Sequence, residues 1–185
     1  MKADRNGAGG YSALHIRRGD FQFKKQRISA EEWWENTKEV WLPNEILYIA
    51  TDEIEREFFD PIKEHREIRF LSDYWHKLEL DDTDPNYIGM IETIVASRGR
   101  AFAGTWFSTF TSYINRMRGY HGMDMKNSYY GLEERKYAMH QWVYPNGGYV
   151  ARDWPLCWDG INSDSFFDPE SFNNNEDHSQ DQKQV

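Results

Sequence analysis

Ile46-Leu47-Tyr48-Ile49-Ala50-Thr51-Asp52 is an uninterrupted apolar run that closes on a polar pair. A strand that is apolar at every position has no solvent face. It belongs inside a parallel sheet covered on both sides, with a polar loop at its carboxyl end. Upstream, Tyr11 to Ile16 is a second short, mostly apolar run, and it stops at Arg17-Arg18-Gly19-Asp20. Between the two, Ser29 and Glu32 have capping-box spacing, and Trp33, Trp34, Val40 and Trp41 follow before Pro43. That pattern predicts a helix from Ser29 to Trp41.

The same alternation continues downstream. A helix is expected from about Glu53 to His65 and a strand from about Ile68 to Leu71. Tyr87, Ile88, Met90, Ile91, Ile94 and Val95 have the spacing of a buried helix face. A short strand at Ala101 to Gly104 leads into a helix from Ser108 to about Arg118. Strand and helix taking turns implies the α/β class, a Rossmann-like parallel sheet with helices on both faces. From Tyr129 onward the pattern gives way to irregular aromatic segments, with a turn expected at Pro145-Asn146-Gly147-Gly148.

The chain has 185 residues, enough for one domain or for half of a two-domain enzyme. Aromatic residues make up 16% of it, enough to build a buried core, so global disorder is excluded. A net charge of -9 disfavours long-range attraction to nucleic acid or to an anionic membrane surface. Cys157 stands alone, so no intrachain disulfide framework and no multi-cysteine zinc site can form. No window approaches the ~18 apolar residues of a membrane span, and the first residues lack the apolar stretch of a signal peptide. Residues 162–185 hold Asp164, Asp168, Glu170, Glu176, Asp177 and Asp181 against Lys183. Their composition predicts a disordered acidic tail behind a domain of residues 1–161.

Two segments carry candidate chemistry. In His15-Ile16-Arg17-Arg18-Gly19-Asp20-Phe21 two guanidinium groups stand at the carboxyl end of the first strand, the edge where open α/β sheets bind ligands. An arginine fork matches a pyrophosphate, although a surface Arg pair beside a core His is the plain alternative. In Gly104-Thr105-Trp106-Phe107-Ser108-Thr109-Phe110-Thr111, Ser108 or Thr109 is expected to cap the following helix. Backbone N–H groups and hydroxyls at a helix N-terminus suit a phosphate. Asp82-Thr83-Asp84 spells a D-x-D pattern that can hold a divalent metal, but an acidic entry to the next helix explains it equally well. The histidines show no metal-ligand spacing. Trp142, Trp154 and Trp158 read as core residues, with a sugar pocket as the alternative.

Taken together, the His15 to Phe21 motif and the run from Arg100 to Gly119 resemble the nucleotide-sugar motifs of the GDP-fucose protein O-fucosyltransferase family. The similarity is closest to the branch whose first motif reads H-x-R-R-x-D-F, and it spans about Leu14 to Gly119. The resemblance implies the C-terminal, donor-binding half of a GT-B glycosyltransferase, in which two Rossmann-like domains face one another. By the same resemblance Arg17 grips the pyrophosphate and acts in catalysis, Arg18 supports it, and His15 lies next to the nucleoside. Ser108, Thr109 and Phe110 would contact the phosphates, and Glu92 would stand near the guanine. The implied reaction is inverting, metal-independent transfer of fucose from GDP-fucose to a Ser or Thr hydroxyl of a protein acceptor, without a cofactor. An N-terminal Rossmann-like domain carrying the general base would be missing from this chain, and the compartment would be the endoplasmic reticulum or Golgi. The competing expectation is a noncatalytic GDP-sugar or glycan binding module.

Overall fold

The computed structural model describes residues 10–135. Among the described residues five strands form one all-parallel sheet: β1 (Tyr11–Ile16), β2 (Ile46–Thr51), β3 (Ile68–Arg69), β4 (Phe102–Gly104) and β5 (Ser128–Tyr130), in the order β3-β2-β1-β4-β5. β1 is central, paired with β2 from Tyr11↔Ile46 to Ile16↔Thr51 and with β4 from Ala13↔Phe102 to His15↔Gly104. Four described α-helices connect and cover these strands: α1 (Ala30–Thr37), α2 (Asp60–Lys63), α3 (Pro85–Ser97) and α4 (Thr109–Tyr120).

The two-residue period of the strands divides the core. Leu14, Ile16, Leu47 and Ile49 point to one face and pack with Trp33 of α1 and Ile62 of α2. Tyr11, Ala13, Tyr48, Ala50 and Phe102 point to the other and pack with Ala96 of α3 and Ile114 of α4. The apolar run of β2 therefore feeds both layers. Fully burying each large side chain of this kind contributes ~1.5–3 kcal/mol. The chain is an α/β protein with a Rossmann-like sheet, as its alternation predicts.

Four local expectations are corrected. The helix expected from Glu53 is a 3-10 turn at Arg56–Phe59 followed by the single turn of α2. Glu53 is held in the preceding loop, its N–H on Thr51 Oγ1 and its carboxylate on Arg18 and on the Glu55 N–H. The third strand is only Ile68–Arg69, because the Asp73 carboxylate accepts the Phe70 N–H at 2.8 Å and starts a 3-10 turn. Of the six apolar positions on α3, Ile88, Ile91 and Val95 pack inward while Tyr87, Met90 and Ile94 are exposed. Six positions in nine residues wrap beyond one face of a helix with 3.6 residues per turn. β5 falls where irregular structure is expected; its three residues are too few to display a period, and only pairing with β4 defines it.

Arg118 pins the far end of the sheet. It is fully buried at the last turn of α4, and its guanidinium donates to Ser128 Oγ at 2.9 Å and to the carbonyls of Ser97, Gly99, Arg100 and Asn127. Burial and the nearby Arg100 lower its pKa to about 9, so it stays charged at neutral pH. No described helix is long and apolar enough to cross a membrane. The expected turn at residues 145–148, Trp142, Trp154, Trp158 and the acidic segment 162–185 lie outside the described residues.

Candidate functional site

At the carboxyl ends of β1, β2 and β4 the loops spread around a cavity of about 870 Å³. Its walls include His15 and Arg17 from β1 and its loop, Asp52 after β2, Glu92 from α3, and Ser108, Thr109 and Phe110 at the start of α4. The fold thus brings together His15, Arg17, Glu92, Ser108, Thr109 and Phe110, and of the residues expected at the donor site leaves out Arg18.

Thr105 fixes where Arg17 begins. Its N–H and hydroxyl both bond the His15 carbonyl, at 3.0 and 3.1 Å, and its Oγ1 accepts the Arg17 N–H at 2.9 Å. Asp52 then clamps the Arg pair. Oδ1 accepts the Arg18 N–H and Oδ2 the Arg17 guanidinium, each at 2.7 Å. Gly19 permits this approach, since a Cβ there would collide with the Asp52 carboxylate. The Arg17 guanidinium also pairs with Asp20, whose side chain is 87% exposed.

Arg18 points elsewhere. Its Nε donates to Glu53 at 2.8 Å, another nitrogen reaches the Ile28 carbonyl at 3.3 Å, and the guanidinium lies over the Phe58 ring. It is absent from the cavity wall, and what it shares with Arg17 is Asp52, which it reaches through its backbone N–H alone.

His15 is buried between strand and helix, with Nδ1 at 2.7 Å from Thr111 Oγ1 and its ring against Phe110. Gly104 makes room for this pairing, because a Cβ there would strike Thr111. Burial, aided by Arg17, lowers the His15 pKa to about 3, and the imidazole is neutral at physiological pH.

Ser108 is the N-cap of α4, but its hydroxyl makes no cap hydrogen bond. This differs from the expected side-chain cap and leaves the hydroxyl at the cavity wall. The first helical bond runs from the Ser112 N–H to the Ser108 carbonyl at 3.1 Å, so the N–H groups of Thr109, Phe110 and Thr111 precede the ladder. No acidic residue occupies the first turn. Three donors and the positive end of a helix dipole therefore face this region without an internal anion.

Glu92 accepts a hydrogen bond from the Tyr48 hydroxyl through Oε2. Burial pushes its pKa up to about 7, opposed by the Tyr48 bond and by the charge of Arg56. Tyr48 itself is raised far beyond the ordinary tyrosine range by burial and by Glu92. Asp84 spends its carboxylate as the N-cap of α3, accepting from the Asn86 N–H at 2.9 Å, which is the plain reading of the D-x-D pattern. Among the described residues no cluster of three or more His, Cys, Asp or Glu could hold a metal ion.

Several contributors carried no functional signal in sequence. Tyr48 sits within an apolar strand 44 positions before its partner Glu92. Thr105 and Thr111 look like ordinary loop and helix residues, and only the pairing of β1 with β4 brings them to His15.

The cavity offers a guanidinium and a helix N-terminus for an anion, with a carboxylate on another wall for a hydrogen-bond donor. No curated protein matches the chain. The family model described as GDP-fucose protein O-fucosyltransferase matches residues 1–121. With that match covering most of the chain and ending within the helix-capped site's own domain, the chain belongs to the GDP-fucose protein O-fucosyltransferase family.

Proposed function

We propose that the cavity binds the GDP part of GDP-fucose and that the protein transfers fucose to a Ser or Thr hydroxyl of a protein acceptor. The observation that carries this reading is the convergence of Arg17 with the free first turn of α4 on one cavity that Glu92 also lines. In it the Arg17 guanidinium, the hydroxyls of Ser108 and Thr109 and the N–H groups of Thr109 and Phe110 take the diphosphate. Neutral His15 and Phe110 flank the nucleoside, and ionised Glu92 accepts from the guanine N1–H and 2-amino groups.

The chemistry is an inverting displacement. The acceptor oxygen bonds to the anomeric carbon, the bond from that carbon to the β-phosphate oxygen breaks, and GDP leaves with the electron pair. Negative charge grows on the diphosphate as the bond lengthens, and Arg17 and the α4 dipole stabilise it there. This supply of positive charge is the support for a metal-independent mechanism. The acceptor proton passes to a general base. Each cavity carboxylate is already engaged, Asp20 and Asp52 by Arg17 and Glu92 by Tyr48. We therefore assign the base and the acceptor surface to a second Rossmann-like domain facing this sheet edge, in a GT-B arrangement within the secretory lumen. The same engagement favours a noncatalytic GDP-sugar binding module as the second reading.

Titration calorimetry with GDP, GDP-fucose, GDP-mannose and UDP tests the donor site. GDP and GDP-fucose should bind and compete, UDP should bind more weakly, and Arg17→Ala should lose at least ~10- to 100-fold in affinity. Equal affinities for the unsubstituted chain and Arg17→Ala would overturn the assignment. Transfer of labelled fucose to folded acceptor domains by the complete protein separates the enzyme from the binding module.

A further inference from the structure

Phe107 has a backbone φ of 64°. The left-handed region is unfavourable for a bulky L-residue and common only for glycine, so the surrounding structure must hold it there. What the bend achieves is to turn a phenyl ring outward. Phe107 is 49% exposed, and its ring stacks on that of Phe23, 39% exposed, at 5.0 Å between centroids and 23° between planes. Phe21 meets Phe23 edge-on behind it, and buried Trp106 meets Phe107 the same way. Phe21, Phe23 and Phe107 all line the cavity.

Burial alone would have hidden these rings, as it hides Trp106 and Phe102. Instead the strained backbone of Phe107 keeps a stacked ring pair at the cavity wall, in which each ring covers one face of the other and leaves its outer surface for a ligand. Strain of this kind points from an observed outlier to a ligand-handling role.

We propose that Phe23 and Phe107 form the platform for the glycosyl ring of the donor, receiving the apolar C–H face and methyl group of a 6-deoxyhexose. The assignment rests on the donor-site reading above. Position selects the sugar over the base. Phe107 directly precedes Ser108, and Phe23 lies in the loop that follows Arg17 and Asp20, so both adjoin the groups assigned to the diphosphate. Glu92, assigned to the base, comes from α3 and is tied to β2. A diphosphate held between these flanks carries its nucleoside toward one and its sugar toward the other. C–H groups bearing slight positive charge favour the negative face of an aromatic ring, as ring edges do.

The experiment compares GDP with GDP-fucose by calorimetry on the full chain and on Phe107→Gly, Phe107→Trp and Phe23→Ala. Glycine adopts the Phe107 backbone conformation without strain, so that variant removes the ring while easing the fold, and its melting temperature reports whether folding is kept. Phe107→Gly and Phe23→Ala should each lower GDP-fucose affinity about tenfold while GDP affinity moves less than about twofold. Phe107→Trp should retain the preference for GDP-fucose. Unchanged GDP-fucose affinity in both ring-removal variants, or equal losses for the two nucleotides, overturns the platform and leaves the GDP site standing. Failure of the unsubstituted chain to bind GDP overturns the donor-site reading and the platform with it.

Discussion

Replacing Tyr48 by Phe removes one hydroxyl from beside the cavity and leaves the packing of β2 unchanged. That hydroxyl donates to Glu92 Oε2 and favours the ionised carboxylate, against the burial that pushes its pKa up to about 7. A hydrogen bond to a charged acceptor contributes ~1.5–3 kcal/mol, and one pKa unit corresponds to about 1.4 kcal/mol. Its loss should therefore raise the Glu92 midpoint by ~1–2 units. Guanine presents donors, so GDP selects the carboxylate form, and its affinity should rise with pH through the Glu92 midpoint to a plateau. In the unsubstituted chain that rise centres near pH about 7, and in Tyr48→Phe it moves up by the ~1–2 units just derived.

Folding stability runs the opposite way. The raised pKa means that the folded chain holds a proton the unfolded chain has released, so this group's contribution to stability is lost as pH rises from 4.5 to about 7. Calorimetric GDP affinities measured across the neutral range, with Glu92→Gln as the reference for the nucleotide's own phosphate titration, isolate the Glu92 component. Coincident midpoints for Tyr48→Phe and the unsubstituted chain would refute the coupling.

Arg18→Ala should lower the melting temperature, by the equivalent of ~1–2 kcal/mol for its bond to Glu53 and its contact with Phe58, while leaving GDP affinity close to that of the unsubstituted chain. Asp20→Asn frees Arg17 from an exposed competitor and should tighten GDP binding ~2- to 5-fold at low ionic strength, with the gain shrinking as salt is added. Arg118→Met leaves two buried and two partly buried carbonyls short of a donor and should cost ~3–5 kcal/mol in chemical denaturation.

What the sequence revealed followed physical scale. β1, β2 and α4 were legible because their signals are local: short apolar or mostly apolar runs for the strands, and for the helix the Ser108-Thr109 pair before an amphipathic stretch. Arg17 and Ser108 were legible as chemistry placed at the ligand edge of a sheet, whereas Glu92 stood out only through the family resemblance. The destination of Arg18 was not, since two adjacent arginines look alike until Asp52 and Glu53 divide them. Tyr48 was hidden because its ring belongs to the core and only its terminal oxygen reaches Glu92. The bend at Phe107 was invisible for a related reason: a left-handed backbone is signalled in sequence by Gly or Asn, and here neither is present.

The burial of Arg118 bears on the opposite end of its helix. α4 has 12 residues, so at ~1.5 Å per residue its two ends stand ~18 Å apart. One end is Ser108 and the open N–H groups; the other is a guanidinium fastened simultaneously to the approach to β4 and to β5. A helix anchored so firmly at its base behaves as a stiff lever. Any loosening of β5, an edge strand of the described sheet, swings the tip, and the open N–H groups move with it. The precision of the site is thereby entrusted to an edge strand of the described sheet.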